Sequence, residues 1–147
     1  MRVDKIMSTS VVTVEMDDSL RVVKDIFDHT RFHHLLVVES GKLFGVISDR
    51  DLLKSLSPNI GTAAETRKDA ATLNKRVHRI MTRKPVTLTP NAEIFDAIDV
   101  FNNKNISCIP IVDDAYRPIG VLSWRDILKA IEATRDNSPC KDDSFSP

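Results

Sequence analysis

Apolar positions along the 147-residue chain change period several times, and each change predicts an element. Residues 11–15, Val-Val-Thr-Val-Glu, are rich in β-branched side chains and read as a short strand. From Leu20 the period becomes about 3.6, with Leu20, Val23, Ile26 and Phe27 on one face. That spacing predicts a helix whose start Asp17, Asp18 or Ser19 can cap. Two further strands are expected at 35–39 and 43–48, joined by the hairpin turn Glu39-Ser40-Gly41-Lys42. A last helix begins near Asp49 and is stopped by Ser57-Pro58-Asn59.

The whole series then recurs. Ile6-Met7 aligns with Ile80-Met81, a shift of 74, which also carries Val12-Thr13 onto Val86-Thr87 and Phe27 onto Phe101. One extra residue enters the longer turn at 113–118, after which Gly45 falls on Gly120 and Asp51 on Asp126. The second copy predicts a strand at 85–89, a helix carrying Ile94, Ala97, Ile98 and Phe101, strands at 109–113 and 119–123, and a helix from about Trp124. Each copy opens with a short amphipathic turn ending in Ile-Met and reads β-α-β-β-α. A period this long, used only twice, indicates two fused copies of one supersecondary unit rather than a solenoid. The fold class expected is α/β (α+β). The expected division is a first repeat at 1–56, a helical linker at 57–76, a second repeat at 77–133 and a polar tail at 134–147. Within the linker, 63–73 is good helix-forming material with few large apolar residues, so a surface helix is expected.

Composition narrows the function class. Apolar content is 41% and charged content 29%, which suits a folded domain rather than a disordered one. Lysine plus arginine balances aspartate plus glutamate at 21 each, leaving none of the cationic excess of a protein that coats nucleic acid. No apolar run approaches the ~20 residues needed to span a bilayer, and the first ten residues lack the apolar stretch of a signal peptide. The two cysteines, Cys108 and Cys140, do not suggest a structural disulfide, since Cys140 lies in the polar tail; a cytoplasmic protein is expected.

The densest repeated phrase is GVISDRDLLKS at 45–55 against GVLSWRDILKA at 120–130. One reading is a capping box, with Ser48 accepting from the third helical N–H and Asp51 reaching back to the serine N–H. That explains serine and aspartate but leaves the recurrence of glycine, valine and arginine unexplained. The other reading is a nucleotide site. A strand running into a helix start presents free N–H groups, Ser48 adds a hydroxyl, Arg50 adds a cation, and Asp51 can accept from both hydroxyls of a ribose.

The tandem β-α-β-β-α unit resembles a pair of CBS domains, named after cystathionine β-synthase. The likeness rests on Gly-hydrophobic-hydrophobic-Ser-x-Arg-Asp at each third strand–helix junction, Ile-Met at each start, and Ile109-Pro110-Ile111-Val112-Asp113. The long linker makes it similar to stand-alone bacterial CBS pairs, including the acetoin-utilisation type. The resemblance implies two repeats packed as a pseudo-twofold disc with two clefts that bind adenosine-containing ligands: AMP, ADP, ATP or S-adenosylmethionine. It implies a ligand sensor and not an enzyme, no catalytic cofactor, a homodimer, and an effector protein that the sequence does not name. The alternative is a structural interaction module with empty clefts. Carried over by residue, Asp51 and Asp126 would hold ribose hydroxyls, and Ser48 and Ser123 would contact phosphate or ribose, with Arg50 and Arg125 alongside. Val12, Pro85 and Val86 would border adenine, as would His34-Leu35-Leu36 and Cys108-Ile109-Pro110. The family usually has proline where this first copy has Leu36.

Three other features compete for a role. His29, His33 and His34 cluster locally, but adjacent residues of a strand face opposite ways and no cysteine or histidine lies at structural-zinc spacing, so no metal site is expected; one of them could still contact a ligand phosphate or tune a response to pH. Lys75, Arg76, Arg79, Arg83 and Lys84 read either as a solvated basic face or as a phosphate-steering patch. Trp124, where copy one has Asp49, can stack on a base or, as favoured here, sit in an interface or on the disc surface.

Overall fold

The computed structural model describes residues 1–136. The first unit contains β1 (Thr13–Glu15), α1 (Leu20–His29), β2 (His34–Glu39), β3 (Lys42–Ser48) and α2 (Asp49–Ser55). The linker forms α3 (Arg67–Ala71) and a 3-10 turn at Thr72–Asn74. The second unit contains β4 (Thr82–Arg83), α4 (Ile94–Asn103), β5 (Cys108–Val112), β6 (Pro118–Ser123) and α5 (Trp124–Asp136). Among the described residues no helix is long and apolar enough to cross a membrane.

β2 and β5 are nearly continuous apolar runs because both of their faces are covered. Alternate residues of β2, Leu35 and Val37, point into a core shared with Leu20 and Val23 of α1 and Leu52 of α2. Their counterparts Ile109 and Ile111 of β5 meet Ile94 and Ala97 of α4 and Ile127 of α5. The intervening positions, Leu36 of β2 and Cys108 and Val112 of β5, meet each other in a third cluster with Leu43 and Val46. The order is therefore helices, sheet, sheet, helices, with the two repeats joined through their sheets.

The repeats also exchange their opening segments. Val3 is fully buried in the core of the second unit, and its N–H donates to the carbonyl of Ala92 at 2.9 Å. Val77 and Met81 occupy the matching place in the first core, and the Val77 N–H donates to the carbonyl of Asp18 at 2.9 Å. Arg83 and Thr82 of β4 pair with Gly45 and Val46 of β3, and Ser8 bridges to Val121 of β6. Sequence repeat and packing unit are thus offset: each copy's Ile-Met turn closes the other copy.

This exchange explains the recurring glycine. A Cβ built on Gly45 would lie 2.7 Å from the Met81 Sδ and 2.8 Å from the Thr82 carbonyl oxygen. One on Gly120 would press on the Met7 side chain, 3.0 Å from its Cγ and closer still to its sulfur. Glycine is what lets the exchanged methionine cross the strand.

The structure departs from the sequence expectations at several points. The strand expected at 11–15 is shorter, beginning at Thr13, and the one expected at 85–89 is reduced to a single parallel bridge between Leu88 and Ile111. Proline accounts for the second of these. In the first unit the Leu36 N–H donates to the Val12 carbonyl at 3.1 Å, but its counterpart Pro110 has no N–H to give Val86. Ser19 is the N-cap of α1 without a side-chain cap bond, while Asp18 accepts from the Glu15 N–H instead. The linker helix is shorter than expected, starting at a Thr66–Asp69 capping box, and Leu73 is buried rather than on the surface. Residues 134–136, expected in the tail, end α5; Cys140 and the rest of the tail lie outside the described residues.

Candidate functional site

Both strand–helix junctions form the reciprocal cap. Asp51 N–H donates to Ser48 Oγ at 3.1 Å, and Ser48 N–H donates to Asp51 Oδ2 at 3.0 Å. In the second copy Ser123 N–H donates to Asp126 Oδ2 at 2.9 Å, and Asp126 N–H donates to Ser123 Oγ at 3.3 Å. The capping and nucleotide readings are compatible, because the cap occupies only Oδ2 of each carboxylate and leaves Oδ1 as an acceptor.

Two clefts open between the repeats. The larger encloses about 500 Å³ and joins Ser123, Arg125 and Asp126 to Ser8, Ser10 and Val12 of the first copy's opening segment. The smaller encloses about 320 Å³ and joins Ser48, Arg50 and Asp51 to Thr82, Lys84, Pro85 and Val86. Each cleft therefore sets the Ser-Asp junction of one repeat against the lead-in of the other, the same exchange that builds the cores. Nothing along the chain signals this crossing, because residues 74 positions apart are equivalent by repetition whichever unit they pack in.

Leu35 and Ile109 stand apart from both clefts, and this corrects the expectation that they border a ligand. Both are fully buried on the helix-facing side of their strands. A strand shows alternate residues to one side, so His34, Leu36 and Cys108 line the clefts while Leu35 and Ile109 do not. The period-2 rule was available from sequence and would have removed them.

The loops after α1 and α4 supply further lining residues, of which only His33 stood out in the sequence. Arg31, Phe32 and His33 line the larger cleft; Asn105, Ile106 and Ser107, at the matching positions, line the smaller. Lys84 likewise replaces Ser10. Comparing the two copies position by position would have shown this inequality. Trp124, favoured above as an interface or surface residue, is 47% exposed on the rim of the larger cleft, with the Arg125 guanidinium 5.9 Å from its ring centre.

The histidines have separate partners. His29 Nδ1 lies 2.8 Å from the Asp25 carbonyl oxygen, His33 Nδ1 2.9 Å from Asp49 Oδ2, and His34 Nε2 3.0 Å from Ser107 Oγ. Burial, the largest influence, lowers the pKa of His34, opposed by Asp49 and Asp51 and reinforced by His33. Burial pushes the Cys108 thiol up to about 12, which makes it a poor nucleophile. Of the basic cluster, Lys84 lines the smaller cleft, while Lys75, Arg76 and Arg83 donate to the carbonyls of Ser55, Asp17 and His78.

Comparison with known proteins agrees with this architecture. The CBS domain model matches residues 3–58 and again 77–133, and the chain belongs to the CBS domain family, of which it carries a tandem pair. A CBS domain-containing protein of Dictyostelium discoideum is 33% identical over 128 residues, covering 86% of this chain and 88% of that protein. Protein MJ1225 of Methanocaldococcus jannaschii is 30% identical over 149 residues, covering 97% of this chain; the chain spans 53% of that relative's length. Among solved structures, the CBS domain pair of protein MJ0100, in complex with 5′-methylthioadenosine and S-adenosyl-L-methionine, has a TM-score of 0.75 at 26% identity. The match covers 91% of this chain and 98% of that one. An AcuB-type protein of Vibrio cholerae shares the fold, with a TM-score of 0.75 at 17% identity over all of this chain and 98% of its own.

Proposed function

We propose that this chain is a non-catalytic regulatory module that senses an adenosine-containing ligand, one of AMP, ADP, ATP or S-adenosylmethionine, in the clefts between its two repeats. One observation carries the reading: each cleft brings an unspent carboxylate oxygen, a serine and an arginine to face apolar side chains that include the other repeat's lead-in: Val12, with Leu36, in the larger cleft and Pro85 and Val86 in the smaller. That is a polar end for ribose and phosphate and an apolar end for a base. The adenosyl ligands held by the MJ0100 pair support it. Residues 1–56 and 77–133 would act as the two ligand-holding repeats, with 57–76 as the tether.

The module would work in the cytoplasm as a homodimer acting on an effector protein. Leu53 of α2 and Leu128 of α5, at equivalent positions and 72% and 54% exposed, support self-association. Those same side chains, with both caps complete without ligand, favour the second reading of an interaction module whose clefts stay empty.

Thermal shift decides between them, with AMP, ADP, ATP, NAD and S-adenosylmethionine on the wild type, Asp51→Ala and Asp126→Ala. A ligand at 100 times its Kd adds about 2.7 kcal/mol to stability. A shift lost in one variant and kept in the other assigns the cleft. Loss of about 1 kcal/mol in each variant from the broken cap, with no ligand effect anywhere, leaves the interaction module standing.

A further inference from the structure

The two clefts have a common wall. His34, Ser48, Arg50, Ser107 and Cys108 line both. At its centre His34 Nε2 and Ser107 Oγ meet at 3.0 Å across the junction of the repeats. The cations are distributed unequally about this wall. Arg125 and Arg31 face only the larger cleft; Lys54 and Lys84 face only the smaller. Arg50 alone among the arginines and lysines lining these clefts faces both. It is exposed, and among the described residues it makes no ion pair, so its side chain is free to turn either way. Its counterpart Arg125 is turned onto the Trp124 ring instead.

We propose that Arg50 is a single anion contact shared by both clefts and makes them antagonistic toward phosphate-bearing ligands. The inference rests on the adenosine-ligand reading of the clefts. A guanidinium that pairs its two-pronged donor face with one phosphate cannot present the same face to another. The first nucleotide therefore takes the cation that the second would use, and the two phosphates also repel across a thin wall. An adenosyl ligand without phosphate makes no claim on Arg50 and fills both clefts independently. The occupancy of one cleft thus reports on the other only for anionic ligands, a coupling that is reciprocal by linkage.

Calorimetric titration of the full chain tests this with AMP and with uncharged 5′-methylthioadenosine. Asp51→Ala isolates the larger cleft and Asp126→Ala the smaller. In those two backgrounds, Arg50→Gln weakens AMP about tenfold in each cleft, equivalent to about 1.4 kcal/mol, while Arg125→Gln weakens it only in the larger. In the wild type the second AMP binds at least tenfold more weakly than the same cleft does in isolation, and the ratio contracts as salt is added. For 5′-methylthioadenosine that ratio stays near one. A ratio near one for AMP, or an Arg50→Gln effect confined to one cleft, overturns the coupling and leaves the nucleotide reading intact. No binding of either ligand, or two sites retained in both aspartate variants, overturns the cleft assignment and the coupling with it.

Discussion

Replacing Gly45 or Gly120 with alanine tests the exchange of opening segments directly. The two sites are equivalent in sequence but not in what surrounds the new methyl group. At Gly120 every close neighbour is an atom of the Met7 side chain, with Cγ at 3.0 Å and Cε at 3.1 Å. At Gly45 the methyl meets Met81 and, at 2.8 Å, the Thr82 carbonyl oxygen, which is fixed by the pairing of β4 with β3. A methionine has three side-chain rotors and can withdraw; a paired backbone carbonyl cannot. Overpacking costs about 1–3 kcal/mol, so Gly120→Ala belongs near the lower figure and Gly45→Ala near the upper. At this chain length each kcal/mol moves the Tm by roughly 2–4 °C. Urea unfolding followed by far-UV circular dichroism measures both, and a double-mutant cycle with the facing methionine assigns the cause. Met7→Ala removes nearly all of the Gly120→Ala penalty beyond its own cost. Met81→Ala removes only part of the Gly45→Ala penalty, because the carbonyl remains. Equal costs at the two glycines, or additive effects in both cycles, would refute the reasoning.

Three further outcomes follow from the same geometry. Burial holds His34 below its ordinary value of 6.5, so the unfolded chain takes up the proton first and stability falls as pH drops below 6.5 toward the folded pKa. His34→Gln flattens the decline of the urea midpoint between pH 7 and 5; an unchanged slope counts against this origin. The Cys108 thiol, raised from 9.0 to about 12, keeps its proton when the unfolded chain loses it, so its contribution to stability is lost as pH rises through that window. In a Cys140→Ser background, alkylation of Cys108 stays slow at pH 9 until urea is added, and a reactivity midpoint near 9 in the native protein contradicts this. Pro110→Ala supplies the N–H that Leu36 supplies in the first unit, and the new amide should exchange slowly through a bond to the Val86 carbonyl; free exchange at position 110 shows that proline is not what shortens the ladder.

What could be read from sequence was the repeated unit and the local rules that make it. Period 3.6 at Leu20, Val23 and Phe27, the turn at Ser40-Gly41 with both residues at positive φ, and the Ser48–Asp51 cap are contacts between residues within one element or one turn. Their physical basis lies within a few positions along the chain, so the sequence contains it. Leu35 and Ile109 were misassigned although the alternation that excludes them is equally local. The partnership of the repeats lies beyond such rules. Val3 in the second core, Val77 in the first, Gly45 beneath Met81, and Asp51 facing Val86 rather than Val12 all depend on which copy each opening segment joins. Two copies built on one apolar pattern present similar faces, and nothing along the chain says which docks on which. Packing of both sheets decides that, and with it the inequality of the two clefts and the position of Arg50 between them.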